Sequence, residues 1–274
     1  MEKQSKLKWL WNYFTTYEKL WFFIFTAATI AVSCIFPEES INGIDGTLLT
    51  FIYLFNVILA ILCELLASKQ SKWSFFLYIF VEIIEIVKFI LLSAMFSSMI
   101  VSLFFWLPMH IISFISWQKH EDKKKKELTV VRSLKPKHAL FMFAGVTVWT
   151  LALGYIFAAF GPETEFFSSE GIKVAVSYMD ACISALAIAN GILLYFRFKE
   201  NWIVWLVSSI LSIVVMAMTG LWVFIILQLG YITNTVYGYY MWSKYIKENK
   251  EETGSQDSPQ DSDQDVQSLE EVKA

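Results

Sequence analysis

The chain has 274 residues, 56% of them hydrophobic and 17% aromatic, but only 17% charged, with a formal net charge of −3. A soluble chain of this length would form about two domains and carry about a quarter charged residues. So little charge cannot cover so much apolar side chain in water. A soluble protein is excluded, and the chain reads as an all-α integral membrane protein.

The first stretch, residues 1–19, sets lysines beside Trp9, Trp11, Tyr13 and Phe14, and predicts an interfacial helix on the inner leaflet. A spanning helix needs about 20 mostly apolar residues. Eight such stretches follow, roughly 20–36, 47–67, 73–95, 98–117, 139–160, 177–196, 202–219 and 221–242. The first is short and extends backward toward Tyr17. The last two are separated by little more than Gly220, so a tight turn is expected there. Residues 251–274 lack aromatics, are rich in Asp, Glu, Gln and Ser, and hold eight acids against one lysine. That composition predicts a disordered acidic tail. The three cysteines, Cys34, Cys63 and Cys182, sit in apolar runs and read as small buried hydrophobes.

Loop charges test the count of eight. An even number puts both termini on one side, where Lys69, Lys72, Lys119, Lys123 to Lys126, Arg132, Lys135, Lys137, Arg197, Lys199, Lys244 and Lys247 then fall. The opposite loops, 37–46 and 161–176, hold Lys173 as their one base among six acids. The positive-inside rule makes both termini cytoplasmic, in a multi-pass protein. The run Lys123–Lys126 reads as a loop facing anionic lipid and not as a nucleic-acid site.

Two groups of three spans look alike. Trp73-Ser-Phe-Phe76 and Trp202-Ile-Val-Trp205 each open a span after a short basic loop, 129 residues apart. Trp117-Gln-Lys-His120 and Trp242-Ser-Lys-Tyr245 end the groups, 125 residues apart. The expected division is 1–46 (interfacial helix and first span), 47–120 (first three-helix unit), 121–176 (basic loop and linking span), 177–245 (second unit) and 246–274 (tail). A linking span lets both three-helix units enter the membrane in the same direction. Parallel repeats of this kind place substrate near the midplane between the units.

Ionisable groups within hydrocarbon are expensive and default to functional candidates. Glu82, Glu85 and Lys88 share a helix face, and line a solute path or neutralise one another. Asp180 caps its helix or reaches substrate. Glu64, near the inner end of its span, is expected to snorkel to water. Asn56, Asn190, Gln228 and Asn234 either bind a solute or join helices. His110 has no partner three or four residues away, which argues against a metal or haem ligand. Neither G-x-S-x-G, H-E-x-x-H nor a P-loop occurs. The chain is expected not to be an enzyme and to need no cofactor. A non-transporting membrane scaffold or sensor, its partners reading the tail, is the alternative from another class.

Several of these residues resemble the PnuC-type family of nicotinamide riboside transporters. The resemblance runs from about Asn42 to Trp242. It is most specific at Asp180, at Glu200-Asn-Trp202-Ile-Val-Trp205, and at Asn234-Thr-Val-Tyr237-Gly238-Tyr239-Tyr240-Met-Trp242. Trp106-Leu-Pro108 is the looser match in the first unit. Asn190 stands where the family commonly has Gln, and Ser209 where it commonly has Asn. The resemblance implies a 3+1+3 core similar to SWEET sugar transporters, plus an N-terminal helix. It implies uniport of a vitamin precursor, trapped by cytoplasmic phosphorylation for NAD synthesis, in a homo-oligomer that is a trimer in the family. Trp202, Trp205, Asn234 and Tyr237 then bind substrate. Relatives on the same scaffold carry thiamine, riboflavin or deoxynucleosides.

Overall fold

The computed structural model describes residues 12–37, 40, 43–92, 102–122, 128–160, 169–218 and 222–256, with side chains 88–92, 222–227 and 250–256 left out. Eight main helices occur among them: α1 (Thr16–Ile35), α2 (Gly46–Ser68), α3 (Trp73–Leu92), α4 (Leu107–Gln118), α5 (Pro136–Phe160), α6 (Glu170–Tyr195), α7 (Asn201–Met218) and α8 (Trp222–Gln256). Five of these, α1, α2, α5, α6 and α7, are long and apolar enough to cross a membrane. Helix α3 has the length but carries Glu82, Glu85 and Lys88.

Helix starts follow local chemistry. Thr15 caps α1 in a reciprocal box with Glu18. Asp45 accepts from Thr47 N and Leu48 N at the start of α2, and its carboxyl is held below the usual range by hydrogen bonding to Thr47. Ser169 caps α6. Helix α4 is entered through a π-helical turn, Ser102–Trp106. Pro108 lies in its first turn and has no N–H to return to the preceding carbonyls, which suits a widened turn there.

The expected boundaries shift in three places. Of residues 1–19, the first eleven lie outside the described residues, and Thr16 to Lys19 belong to α1. Helix α6 begins seven residues before the expected 177. Helix α8 continues to Gln256, eleven residues into the stretch assigned to a tail from 246; residues 257–274, like Lys123–Lys126, lie outside the described residues. At 1.5 Å per residue α8 is about 50 Å long, well beyond a hydrocarbon core of about 30 Å. Cys34 is exposed, whereas Cys63 is buried.

Three loops meet at one end of the bundle. Helices α2 and α6 both end in a Schellman motif, with Gln70 (φ 59°) and Arg197 (φ 62°) in the left-handed position. Their bonds match: Gln70 N to Ala67 O and Ser71 N to Leu66 O, against Arg197 N to Leu194 O and Phe198 N to Leu193 O. The segment before α5 touches both loops, through Thr129 N to Gln70 O and Arg132 N to Arg197 O. Lys72 pairs with Glu121, and Arg197 donates to Ser116 Oγ. Burial, and the neighbouring Arg132, pull the Arg197 guanidinium below its usual range. The start of α1 and the late turns of α8 lie at the same end, since Glu18 pairs with Lys69 at 3.1 Å and Tyr245 donates to Asp122.

A buried aromatic core sits just inside these loops. Trp117 and Trp242 are fully buried, with ring centroids 5.7 Å apart. Each also spans to the other half of the bundle: Trp117 Nε1 donates to Leu194 O (3.0 Å), and Trp242 Nε1 to Ala67 O (3.2 Å). Phe75 packs edge-on to Trp117, and Trp202 edge-on to Trp242. Phe75 and Trp202 each stand five residues after the left-handed residue of their loop, and Tyr78 and Trp205 eight. The counterpart of Trp202 is therefore Phe75, not Trp73, and the spacing between halves here is 127 residues. Trp73 is exposed.

Candidate functional site

The π turn and α4 place Trp106 and His110 one helical turn apart on the inner face of the bundle. Across from them α3 presents Tyr78 and Glu82. The His110 ring lies between two aromatic faces. It stacks on Tyr78 with centroids 4.8 Å apart and planes 8° apart, and on Trp106 at 5.7 Å and 21°. His110 Nε2 is 3.9 Å from Glu82 Oε2. Tyr78 OH donates to Glu64 on α2.

These side chains wall a cavity of about 290 Å³, near the lower end of small-molecule sites at about 300–1,000 Å³. The second half of the bundle closes it with Asn190 and Leu194 from α6 and with Asn201, Trp202 and Trp205 from α7. Two carboxyl groups, Glu64 and Glu82, line it. Among the described residues lining it there is neither lysine nor arginine. Three buried polar atoms of this wall have no protein partner: His110 Nδ1, Asn190 Oδ1 and Trp202 Nε1. A buried group left without a hydrogen bond costs about 1–3 kcal/mol. Such atoms are suited to a polar guest.

Glycine permits the close packing around this wall. A Cβ on Gly238 would lie 2.5 Å from the Trp202 ring, and one on Gly191 would lie 3.2 Å from the Phe105 ring. Gly238 therefore seats Trp202 against α8.

The expected site residues divide into three groups. Trp202, Trp205, Asn190 and Glu82 come together on the cavity wall. Asn234 lies just behind it: it is fully buried, and its Nδ2 donates to Glu64 O at 3.4 Å. The remainder point elsewhere. Tyr237 OH donates to Glu18 Oε1 at 2.8 Å, and its ring packs on Tyr17 of α1. Glu85 accepts from Asn56 Nδ2 at 2.7 Å, joining α2 to α3. Gln228 is half-buried and is not among the cavity-lining residues. The Lys88 side chain lies outside the described residues, so its pairing with Glu85 is not described. Asp180 is no helix cap, since α6 starts ten residues earlier at the Ser169 cap; it is exposed and does not line the cavity.

One further expectation is corrected. Glu64 does not snorkel: it is buried, held by Tyr78, and faces the cavity. The contacts of His110 add to the expectation without overturning it: Glu82 and Tyr78 reach the ring from another helix. Trp106, four residues before His110, was the one signal in the sequence for this stack.

The family model described as "Nicotinamide mononucleotide transporter" matches residues 50–244. The nicotinamide riboside transporter PnuC of Haemophilus influenzae is 26% identical over 234 residues, covering 84% of this chain and 91% of that protein. The PnuC of Neisseria mucosa is 23% identical over 256 residues, covering 87% and 85%. The PnuC of Escherichia coli is 24% identical over 226 residues, covering 75% and 90%. The crystal structure of the vitamin B3 transporter PnuC superposes with a TM-score of 0.63 over 86% of this chain and 94% of that one, at 18% identity. That likeness shows a shared fold. The match of a family model to most of the chain makes this protein a member of the nicotinamide mononucleotide transporter family, a family of membrane transporters.

Proposed function

We propose that this chain is a uniporter carrying nicotinamide riboside into the cytoplasm, where phosphorylation traps it for NAD synthesis. The observation that carries the substrate reading is the cavity lining: aromatic faces, two carboxyl groups and, among the described residues, neither lysine nor arginine. The riboside bears a pyridinium cation, which aromatic faces attract and carboxylates favour. The mononucleotide adds a phosphate, which such a lining repels. The three relatives above all carry the riboside in their names, which agrees with the lining. The unpartnered Asn190, His110 and Trp202 atoms suit the carboxamide and ribose hydroxyls.

The transport path is read as lying between two parallel three-helix units, α2–α4 and α6–α8, linked by α5. Supporting this are the matched loops at Gln70 and Arg197 and the crossed Trp117 and Trp242 bonds. The packing of α4 on α6 and of α8 on α2 also supports it. Collection of the basic loops at one end supports cytoplasmic termini in the cell membrane. The oligomer is proposed to be a trimer.

A binding panel on the purified protein tests the substrate. Nicotinamide riboside is expected to bind at least tenfold more tightly than nicotinamide mononucleotide, thiamine or riboflavin. Equal or tighter binding of the mononucleotide overturns the reading from the lining.

A further inference from the structure

Outside the central cavity a groove of about 730 Å³ lies between α5 and α6. Its floor is apolar, with Met142, Val146, Ile188, Ile192 and Phe196 among its residues. One end is different: Arg132, Lys135 and His138 line it there, and among the described residues no carboxylate lines it. Glu200 lies against the same segment, where it accepts the Leu134 N–H at 2.8 Å. The positive field at this end is reinforced by Arg197, whose guanidinium is perturbed by neighbouring Arg132. The groove opens on the bundle's outer surface. Of the five helices found long and apolar enough to cross a membrane among the described residues, α5 is the least covered by protein, with Phe141 83% and Leu140 70% exposed.

We propose that this groove is a binding site for one anionic phospholipid. An acyl chain lies along the α5–α6 floor, and the headgroup phosphate sits against Arg132, Lys135 and His138. The charge pattern selects this occupant. A basic cluster at the membrane boundary over an apolar slot matches a phospholipid's two halves, and basic pockets between spanning helices on the cytoplasmic side bind anionic headgroups. A second copy of the chain needs no such separation of charge from apolar floor. Gly145 lies in the groove wall, and a Cβ there would meet nothing within 4 Å. The floor therefore has room for a chain at that level. The Trp149 indole N–H donates to Ser184 Oγ at 3.1 Å, tying the two walls together.

The test is native mass spectrometry of the full-length protein released from detergent with equal phosphatidylglycerol and phosphatidylcholine of matched acyl chains. The wild type is expected to retain one phosphatidylglycerol per protomer, at least fivefold over phosphatidylcholine. The double variant Lys135→Gln/His138→Gln is expected to lose that preference at least threefold while still taking a lipid. Gly145→Phe, which fills open space, is expected to lose both lipids. Preference unchanged in the double variant, or retention unchanged in Gly145→Phe, overturns the proposal. So does a change of oligomeric state in Gly145→Phe, which would make the groove a subunit interface. Binding of nicotinamide riboside, measured on the same samples, is expected to stay at the wild-type level. The lipid readout stands whether or not that substrate is correct.

Discussion

Gln70 and Arg197, 127 residues apart, are the two non-glycine residues with a positive φ among the described residues, at 59° and 62°. Gln70 follows α2 and Arg197 follows α6, and the last turn of each helix accepts from an indole, Trp242 Nε1 on Ala67 O and Trp117 Nε1 on Leu194 O. A left-handed conformation costs an L-residue roughly 1–2 kcal/mol. Gln70 is buried, and its Oε1 has no protein partner, so its side chain contributes little in return. Gln70→Gly is expected to raise the melting temperature, by about 1 kcal/mol of stability. Gln70→Val should lower it, since a β-branched residue resists this conformation. Thermal unfolding in detergent checks the pair, and a lower melting temperature for the glycine variant than for wild type contradicts the account.

Glu18 is fully buried at the head of α1, bound to Lys69 at 3.1 Å and to Tyr237 OH at 2.8 Å. Removing one partner of a buried ion pair strands the other, typically at a cost of about 3–5 kcal/mol. Lys69→Met should therefore lower the melting temperature clearly. Adding Glu18→Gln to it should recover most of the loss. If the second substitution only deepens the loss, the two side chains act independently and α1 is held by other means.

Gly238 leaves room for the Trp202 ring. Gly238→Ala would bring a methyl within 2.5 Å of it. Overpacking of this kind costs about 1–3 kcal/mol, and the displaced indole forms part of the cavity wall. Riboside binding should weaken about tenfold or more in isothermal titration, and stay at the wild-type level in the control Gly145→Ala. Wild-type affinity in Gly238→Ala would mean that the position of Trp202 does not matter.

His110 is held by rings on both sides, and aromatic pairs contribute about 0.5–1.5 kcal/mol each. His110→Ala should open the cavity and weaken riboside binding roughly tenfold. His110→Phe keeps the stack on Tyr78 and Trp106 but loses Nδ1, so it should bind between wild type and alanine. Equal affinities for alanine and wild type would remove the stacked slot from the site.

Helix positions were legible from hydropathy because length in hydrocarbon is fixed by bilayer thickness. Rotation about each helix axis was not. Lipid-facing and protein-facing residues are both apolar in a membrane, so α3 and α4 show no contrast telling which side turns inward. That is why His110 and Glu64, buried at the cavity, were not singled out, and why Asp180 and Tyr237 were given to a site from which they point away. Trp202 and Trp205 were legible through their resemblance to the family's motif, and two indoles three residues apart do fall on neighbouring positions of one helix face. Trp117 and Trp242 were legible as paired landmarks, and they do meet in the buried core. The pairing of Trp73 with Trp202 was misleading, because Phe75 is the residue that packs on Trp117 as Trp202 packs on Trp242.

Uptake into proteoliposomes tests the central claim most directly. Protein reconstituted without ion gradient or nucleotide should take up labelled nicotinamide riboside saturably, stopping at equal internal and external concentrations. Trp202→Ala/Trp205→Ala should reduce that uptake at least tenfold. Uptake that requires an ion gradient, or that is equal in the double variant, would contradict a uniport path through this cavity.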